Sequence, residues 1–235
     1  MASCIYHDDF GAGRAMGQEV AVKALKRNGG RPEDCKIAYI GVTREDKAAG
    51  AAREDGFRKG LQEAGITFDD HRYRRESEFT MSGGYEAAVD LLSEENGIDI
   101  ISCATDTIAA GAIEALIAQS KKAVPESVQN SGARMLHILE QSGICVTGFG
   151  DNQMLRAVTG GIPTVHFGYK TSGIKGAELL LEQIEEKNPE LLTYIREKLP
   201  SAEGNMVPHT ELKEMSRNVK FAVRTGEFTP YPSII

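Results

Sequence analysis

Long apolar runs are absent from this chain of 235 residues, and that absence excludes several classes of protein. No segment reaches the roughly 18 uninterrupted apolar residues that a membrane-spanning helix needs. Residues 1–10 carry acidic side chains where a secretory signal would have its apolar core. We therefore expect a soluble, cytoplasmic protein that has no membrane partner.

An excess of basic residues is also absent. Lysine and arginine number 27 against 34 aspartate and glutamate residues, which gives a net charge of -7. A chain with this charge has no general attraction to nucleic acid phosphates, and no local basic element offsets it. The sequence predicts that this chain does not bind DNA by itself.

Motifs for disulfides, metals and nucleophilic catalysis are missing as well. The four cysteines form no C-x-x-C pair, which is typical of a protein from a reducing compartment rather than of a disulfide framework. The five histidines have no metal-ligand spacing, and no serine lies in a nucleophile-elbow motif. We expect neither a metal nor another cofactor.

The sequence does contain an alternation of short apolar runs and helical patterns, which is typical of parallel sheets with flanking helices. Strands are predicted at 4–6, 36–42, 67–73, 98–104, 144–149, 164–167 and 220–224, with the polar segment 67–73 as an edge strand. Helices are predicted at 13–27, 48–65, 82–93, 107–119, 131–141 and 171–186. The predicted fold class is therefore α/β.

A glycine-rich stretch, residues 11–17 (GAGRAMG), follows the first predicted strand and opens a helix, nearly as in a dinucleotide-binding loop. Asp8 and Asp9 stand where the pyrophosphate would lie, and the glycine spacing is off by one. Because two carboxylates would repel that anion, we favour a turn whose glycines adopt positive φ angles over a nucleotide site.

Polar side chains follow three of the predicted strands directly. They are Asp8 and Asp9, Thr105 and Asp106, and Asp151 and Asn152. Ligands of open α/β sheets bind beyond the carboxyl ends of the strands. Carboxylates and amides there can pair with vicinal hydroxyls, and the guanidinium of Arg53 can fork across two oxygens, which suits a sugar. Alternatively, Asp106 and Asp151 only cap the helices that follow them, and the residues alone leave both interpretations open.

Several of these segments together resemble a known family. They are residues 7–13 (HDDFGAG), 36–42 (KIAYIGV), 53–61 (REDGFRKGL), 103–112 (CATDTIAAGA), 146–152 (VTGFGDN) and 164–181 (TVHFGYKTSGIKGAELLL). In this order they resemble the effector-binding domain of LacI-family transcriptional regulators, over about residues 4–181. The resemblance implies a type I periplasmic-binding-protein-like fold, with a sugar or sugar phosphate between two α/β lobes and dimerisation through the lobes.

The resemblance also implies which residues contact the sugar. Asp8 matches the family's aspartate after the first strand, Arg53 the arginine of its R-x-x-G-F motif, and Asp106 the aspartate of its A-T-D turn. Asp151 matches the second acidic residue of a G-F-D-D motif, whereas Gly150 stands where the first is usual. The family's helix-turn-helix and part of its amino-terminal lobe would lie before residue 1, so the resemblance implies an incomplete amino-terminal lobe and a chain that does not bind an operator alone.

Residues 185–235 resemble the carboxyl-terminal part of another family, the D-ribose pyranases, which are sugar mutarotases. The segments that carry this resemblance are 188–191 (NPEL), 207–213 (VPHTELK) and above all 222–231 (AVRTGEFTPY). By that resemblance His209 matches an active-site histidine and Tyr231 a ribose contact, while Pro232 and Ser233 replace the usual alanine and asparagine. The family's amino-terminal half, with its acid/base histidine and aspartate, has no counterpart in this chain.

The sequence therefore predicts a LacI-type sugar-binding domain at residues 1–181 and a small α/β, pyranase-like fragment at 182–235. The predicted function is ligand binding for a regulator of carbohydrate metabolism, with a homodimer as a possible assembly. Two alternatives stay open. The chain is a pyranase-like mutarotase that uses His209 and Tyr231, or it is a fusion remnant without a function of its own.

Overall fold

The computed structural model describes residues 6–119, 139–187, 189–190, 218–219 and 221–224. Its strands are β1 (Tyr6–His7), β2 (Ile37–Gly41), β3 (Arg74–Glu76), β4 (Ile100–Cys103), β5 (Cys145–Phe149), β6 (Thr164–Phe167), β7 (Asn218–Val219) and β8 (Phe221–Arg224). Its helices are α1 (Asp9–Arg27), α2 (Arg53–Glu63), α3 (Asp70–Tyr73), α4 (Met81–Glu94), α5 (Asp106–Gln119), α6 (Gln153–Thr159) and α7 (Tyr169–Lys187). A π-helical turn, Lys47–Ala52, leads directly into α2.

The chain forms two compact units. The smaller unit comprises Met1–Asp8 and Phe167–Phe221, and the larger unit comprises Asp9–His166 and Ala222–Ile235. The chain thus passes between the units three times, after Asp8, after His166 and after Phe221. Each unit is built from segments that are distant in sequence.

The larger unit is built on a six-stranded sheet in the order β3-β2-β4-β5-β6-β8. Strand β2 pairs in parallel with both β3 and β4, β4 pairs with β5, and β5 pairs with β6. Every residue of β2 and β4 is buried, as expected for strands that helices cover on both faces. The predicted parallel α/β architecture is confirmed.

The outer strand β3 lies later in the chain than predicted. A strand is predicted at 67–73, but Asp70–Tyr73 form α3 and the strand begins at Arg74. The difference arises because the Asp69 side chain accepts hydrogen bonds from the backbone N–H groups of His71 and Arg72 and so caps a helical turn. The predicted edge position is confirmed, since β3 is the first strand in the sheet order.

The glycine-rich stretch lies inside α1, so the expected turn with positive φ angles and the nucleotide loop are both wrong. A Cβ on Gly13 would lie 2.1 Å from the backbone oxygen of Arg53, and a Cβ on Gly17 would lie 2.2 Å from that of Phe57. Glycine is needed at these positions because α1 and α2 pack backbone against backbone. The motif is therefore a helix-packing motif, and it sets the position of the helix that begins with Arg53.

The smaller unit contains β1, β7 and α7. Strands β1 and β7 pair in parallel, with Tyr6 opposite Asn218 and His7 opposite Val219. A first strand is predicted at 4–6, of which only Tyr6 falls within the described residues.

Two further predictions concern the second half of the chain. Residues 120–138 lie outside the described residues, and with them most of the helix predicted at 131–141. The strand predicted at 220–224 is confirmed as β8.

In the described part of the chain, no helix is long and apolar enough to cross a membrane.

Candidate functional site

Three of the four predicted sugar contacts lie in the larger unit, near the carboxyl ends of its strands. Arg53 opens α2, Asp106 opens α5 directly after β4, and Asp151 lies two residues after β5. Their exposed fractions are only 9%, 5% and 8%. Charged side chains buried to this degree need hydrogen-bond or ion-pair partners.

Arg53 is held by contacts from three directions. Its Nε and Nη2 donate hydrogen bonds to Asp9 Oδ1 at 3.0 and 2.5 Å, and its Nη1 donates to the backbone oxygen of Ala104. Its guanidinium carbon lies 4.4 Å from the centre of the Phe149 ring. A planar cation gripped by a carboxylate, a carbonyl and an aromatic face has a fixed orientation. The side chain is therefore positioned by the protein itself.

Asp106 ties the segment after β5 to strand β6. Its Oδ1 accepts a hydrogen bond from the Thr164 hydroxyl at 2.7 Å, and its Oδ2 accepts one from the backbone N–H of Asn152 at 2.5 Å. Burial raises the pKa of Asp106, while these two hydrogen bonds oppose the rise. A Cβ on Gly148 would lie 2.2 Å from Oδ1, so that glycine makes room for the carboxylate.

The raised pKa of Asp106 predicts a specific pH dependence of stability. The folded protein holds the Asp106 proton more tightly than the unfolded chain does, so this residue favours folding at acid pH. That contribution is lost as the pH rises from the ordinary value of 3.8 through the folded pKa. The free energy of unfolding of the wild type, relative to Asp106→Asn, should therefore fall with rising pH, as denaturant titrations from about pH 3.5 to about pH 7 would measure. A relative stability that increases with pH over this range would contradict the raised pKa.

Asp151 has an unusual backbone conformation. Its φ is 52°, a left-handed conformation that costs energy in a residue other than glycine and is concentrated at functional sites. The carboxylate lies 3.0 Å from Arg156 Nη2 and 2.9 Å from His166 Nδ1, within ion-pair distance of both. The His166 contact is an ion pair only when the imidazole is protonated. Asp151 N–H donates to Thr164 Oγ1 at 3.3 Å, which ties this turn to β6.

Helix capping was the alternative role for these two aspartates, and their neighbours make the caps. Thr105 Oγ1 accepts the backbone N–H of Ile108 at 3.2 Å at the start of α5. The Asn152 side chain accepts the N–H groups of two residues in the first turn of α6, at 2.9 and 3.1 Å. The Asp106 carboxylate instead contacts Asn152 and Thr164. The Asp151 carboxylate contacts the Arg156 side chain of α6 and His166 of β6 rather than the first backbone N–H groups of α6.

Asp8, the fourth predicted contact, belongs to the smaller unit and is half-buried. In that unit the His7 ring stacks on Phe167 with ring centres 4.6 Å apart, and His7 Nε2 lies 3.1 Å from Ser172 Oγ. Tyr169 packs against both rings at a steep angle. Asp8 thus directly follows His7 of an aromatic cluster, whereas the other three predicted contacts lie in the larger unit.

Sequence reasoning selected Asp9 only as a residue after the first strand, and it assigned no role to Phe149 or His166. Asp9 and Phe149 are the partners of Arg53, and His166 contacts Asp151. The position of Phe149 was a usable signal, because an aromatic residue that ends a buried strand directly before a polar loop can pack against a side chain of the site. His209 and Tyr231 lie outside the described residues, so their assignment stays a prediction.

Three of the cysteines lie within the described residues. Cys35, Cys103 and Cys145 are free thiols, and burial raises the pKa of each. Thiols with raised pKa values are poor nucleophiles at neutral pH. Among the described residues, no group of three or more His, Cys, Asp or Glu side chains could hold a metal ion.

A separate groove of about 780 Å³ lies beside the edge strand β3 and the residues that follow β2. Arg44, Arg58 and Arg74 line it and converge on the fully buried carboxylate of Glu54. Each arginine also pairs with a second acidic side chain, which is more exposed. Because these charges are balanced within the protein, we interpret this groove as the surface of a structural ion-pair network.

Solved structures of regulators have a similar fold. A sugar-binding transcriptional regulator of the LacI family from Escherichia coli, complexed with phosphate, has a TM-score of 0.59 and 18% identity, covering 96% of this chain and 63% of that one. The complex of the transcriptional regulator CelR with cellobiose has a TM-score of 0.57 and 25% identity, covering 77% of this chain and 47% of that one.

The carboxyl-terminal part of the chain is similar to a second family. Residues 175–235 match the RbsD / FucU transport protein family. The D-ribose pyranase of Enterococcus faecalis is 41% identical over 56 residues, which are 24% of this chain and 43% of that protein. The chain therefore spans less than half the length of this curated relative. The predicted resemblance of the tail to the pyranases is confirmed.

Most of the chain matches one family. Residues 3–192 match the family described as periplasmic binding proteins and sugar binding domain of LacI family. The predicted resemblance and the predicted periplasmic-binding-protein-like fold are both confirmed. The chain belongs to the family of periplasmic binding proteins and LacI-family sugar-binding domains.

Proposed function

We propose that this chain is the sugar-binding, effector-recognising part of a LacI-type transcriptional regulator of carbohydrate metabolism. The observation that carries the proposal is the fixed guanidinium of Arg53, which reaches the ends of β4 and β5 through Ala104 and Phe149. Asp106 and Asp151 follow those same two strands. An arginine fork and two carboxylates at neighbouring strand ends form a set that suits vicinal hydroxyls.

Each side chain has a chemical role in this proposal. Arg53 donates to two oxygens of the sugar and gives up part of its contact with Asp9 in exchange. Asp151 accepts hydrogen bonds from sugar hydroxyls. Asp8 and Asp106 remain predicted contacts, and the bonds of Asp106 also hold the segment that carries Asp151.

The similarities suggest which sugars to try first. The relatives of the tail are D-ribose pyranases, and one regulator with 25% identity was solved with cellobiose. D-ribose, cellobiose and, for the predicted sugar phosphates, ribose 5-phosphate are therefore the first probes. Calorimetric titration of the full chain should give saturable heat with at least one of them. A protein shown to be folded by circular dichroism that gives no heat with any of the three would contradict the proposal.

Replacing Asp151 by asparagine should weaken sugar binding about tenfold or more, because charge-assisted hydrogen bonds from the sugar are lost. Asparagine has the same shape and tolerates a left-handed backbone, so the fold should persist. Asp34→Asn is the matched control, since Asp34 pairs with Arg31 on the surface. Calorimetry on the three proteins measures the difference, and equal affinities would remove Asp151 from the site.

The setting of the protein is a further part of the proposal. We propose that it acts in the cytoplasm, as a homodimer, and that it does not bind operator DNA by itself. The net charge of -7 supports the absence of DNA binding, and the free thiols support a reducing compartment. The homodimer rests on the resemblance to LacI-type domains. Sedimentation velocity and a DNA mobility-shift assay test two of them, and a monomer at all concentrations or retention of duplex DNA would contradict them.

The second candidate function is that of a sugar mutarotase, which rests on the similarity of residues 175–235 to D-ribose pyranases. On that similarity, His209 and Tyr231 would act on ribose. A general acid or base needs its partners within hydrogen-bond reach, and the match covers only 43% of the relative. NMR exchange between the pyranose and furanose forms of ribose would favour this candidate if it is fast with the wild type and slow with His209→Ala. A chain that neither binds sugar nor speeds this exchange would instead fit a fusion remnant.

The two similarities also bear on how the chain is divided. The family matches overlap at residues 175–192, which include much of α7. We propose that residues 1–181 and 182–235 are segments of different ancestry. The two compact units divide the chain differently, because they follow packing rather than origin.

A further inference from the structure

Strands from the pyranase-like segment belong to both of the sheets that the described residues form. Strands β7 and β8 lie within residues 175–235, the part that is similar to the RbsD / FucU family. Strand β7 pairs in parallel with β1 in the smaller unit. Strand β8 lies next to β6 and is the last strand of the six-stranded sheet. A single residue, Lys220, separates the two strands.

The neighbouring strands need these partners. A sheet edge presents a row of backbone N–H and C=O groups that lack partners, and such an edge pairs readily with another chain. Without β8, strand β6 would become the edge of the six-stranded sheet. Its residues are mostly buried, so its unpaired backbone groups would lie in apolar surroundings. A two-residue strand such as β1 is not stable without a partner.

Strand β6 also carries contacts of the candidate site. Its first residue, Thr164, donates to Asp106 at 2.7 Å, and its third residue, His166, lies 2.9 Å from Asp151. The backbone oxygen of Val165 accepts the N–H of Gly150 at 2.9 Å. A change in the position of β6 would therefore reach both aspartates.

We propose that the pyranase-like segment serves this chain as the closing strands of its two sheets. Strand β8 covers the edge of β6 and thereby holds the strand that positions Asp106 and Asp151. The link from β8 to ligand affinity rests on the proposed sugar-binding function, whereas the closing-strand role does not.

Hydrogen exchange of the full-length wild type tests the closing-strand role directly. We expect the amides of Ala222–Arg224 that face β6 to exchange at least about a hundredfold more slowly than in an unstructured peptide, without any ligand. The buried strands β2 and β4 report that the protein is folded in the same experiment. Exchange of all β8 amides at unstructured rates, while β2 and β4 stay protected, would overturn the proposal.

Proline substitutions in β8 give a second test in the full chain. Consecutive backbone N–H groups of a strand point to opposite sides, so either Ala222→Pro or Val223→Pro must remove a group that faces β6. At least one of the two should speed exchange in β6 by about tenfold or more, while Val223→Ala should leave it unchanged. Unchanged β6 exchange in both proline variants would overturn the proposal. If a proline variant does not fold, the exchange of the wild type decides.

The sugar titrations separate this inference from the proposed function. A proline variant with faster β6 exchange should bind sugar at least about tenfold more weakly than Val223→Ala. Unchanged affinity would overturn the link from β8 to the site. A wild type that protects β8 but binds no sugar would contradict the proposed function and leave the closing-strand role supported.

Discussion

Replacing Arg53 by alanine should lower the free energy of unfolding by about 3–5 kcal/mol, because it breaks a buried ion pair. The side chains of Arg53 and Asp9 are 11% and 13% exposed, and Nη2 lies 2.5 Å from Oδ1. The truncation would deprive the Asp9 carboxylate of its counter-ion and leave a cavity beside Phe149. Denaturant unfolding followed by circular dichroism measures the change.

Two control variants test whether the loss of stability comes from breaking the buried ion pair of Arg53 and Asp9. Arg31→Ala removes a surface arginine that pairs with Asp34, and it should leave stability unchanged. The double variant Asp9→Asn, Arg53→Met removes both charges at similar volume and should be more stable than Arg53→Ala by at least about 1 kcal/mol. A double variant as unstable as the single one would show that the ion pair is not what stabilises this region. If the double variant folds, it should still fail to bind sugar, since the guanidinium is gone.

Replacing Gly13 by alanine should destabilise the protein by about 1–3 kcal/mol, although alanine is the better helix former. The new Cβ would lie 2.1 Å from the backbone oxygen of Arg53, and a backbone atom cannot move aside as a flexible side chain can. Helices α1 and α2 must then separate. Because the contact is to Arg53 itself, sugar affinity should fall together with stability.

The matched control is Gly173→Ala in α7. Gly173 is also helical, but a Cβ there would have no atom within 4 Å. This variant should be more stable than the wild type by about 0.5–1 kcal/mol, because alanine loses less conformational freedom than glycine when the helix forms. Thermal unfolding of both variants should show a lower melting temperature than the wild type for Gly13→Ala and a higher one for Gly173→Ala. A Gly13→Ala variant as stable as Gly173→Ala would contradict the close packing of α1 on α2.

The elements that follow from local patterns were predictable. Strands β2 and β4 are continuous apolar runs, and their burial on both faces follows from that composition. The error at β3 is local as well, because the Asp69 cap competes with a strand over the same residues. The glycines of α1 were misinterpreted for a different reason. A glycine needed for close packing and a glycine needed for a turn look the same until the neighbouring helix is in place.

The candidate site shows the same limit. The four predicted sugar contacts follow strands or open helices, and they stay a prediction that rests on their match to the motifs of the resembled family. That Arg53 pairs with Asp9, 44 residues away, and that Thr164 donates to Asp106 across 58 residues, follows from no local pattern. Helix capping shows the same limit. Aspartate, threonine and asparagine are all good capping residues, and only the structure shows that Thr105 and Asn152 make the caps instead of Asp106 and Asp151.

The sequence by itself determined the α/β class, because hydrophobic period is a local property of the chain. It also determined the family, because the motifs that resemble that family stand in the same order along the chain. Only the tertiary structure decided which charges are paired, why Gly13 must be glycine, and that the last strand of the tail lies next to β6. The physical reason is that the free energy of burying a charge or a strand edge depends on the group that lies opposite it. In this chain those groups come from distant segments, so folding brings them together where sequence spacing does not.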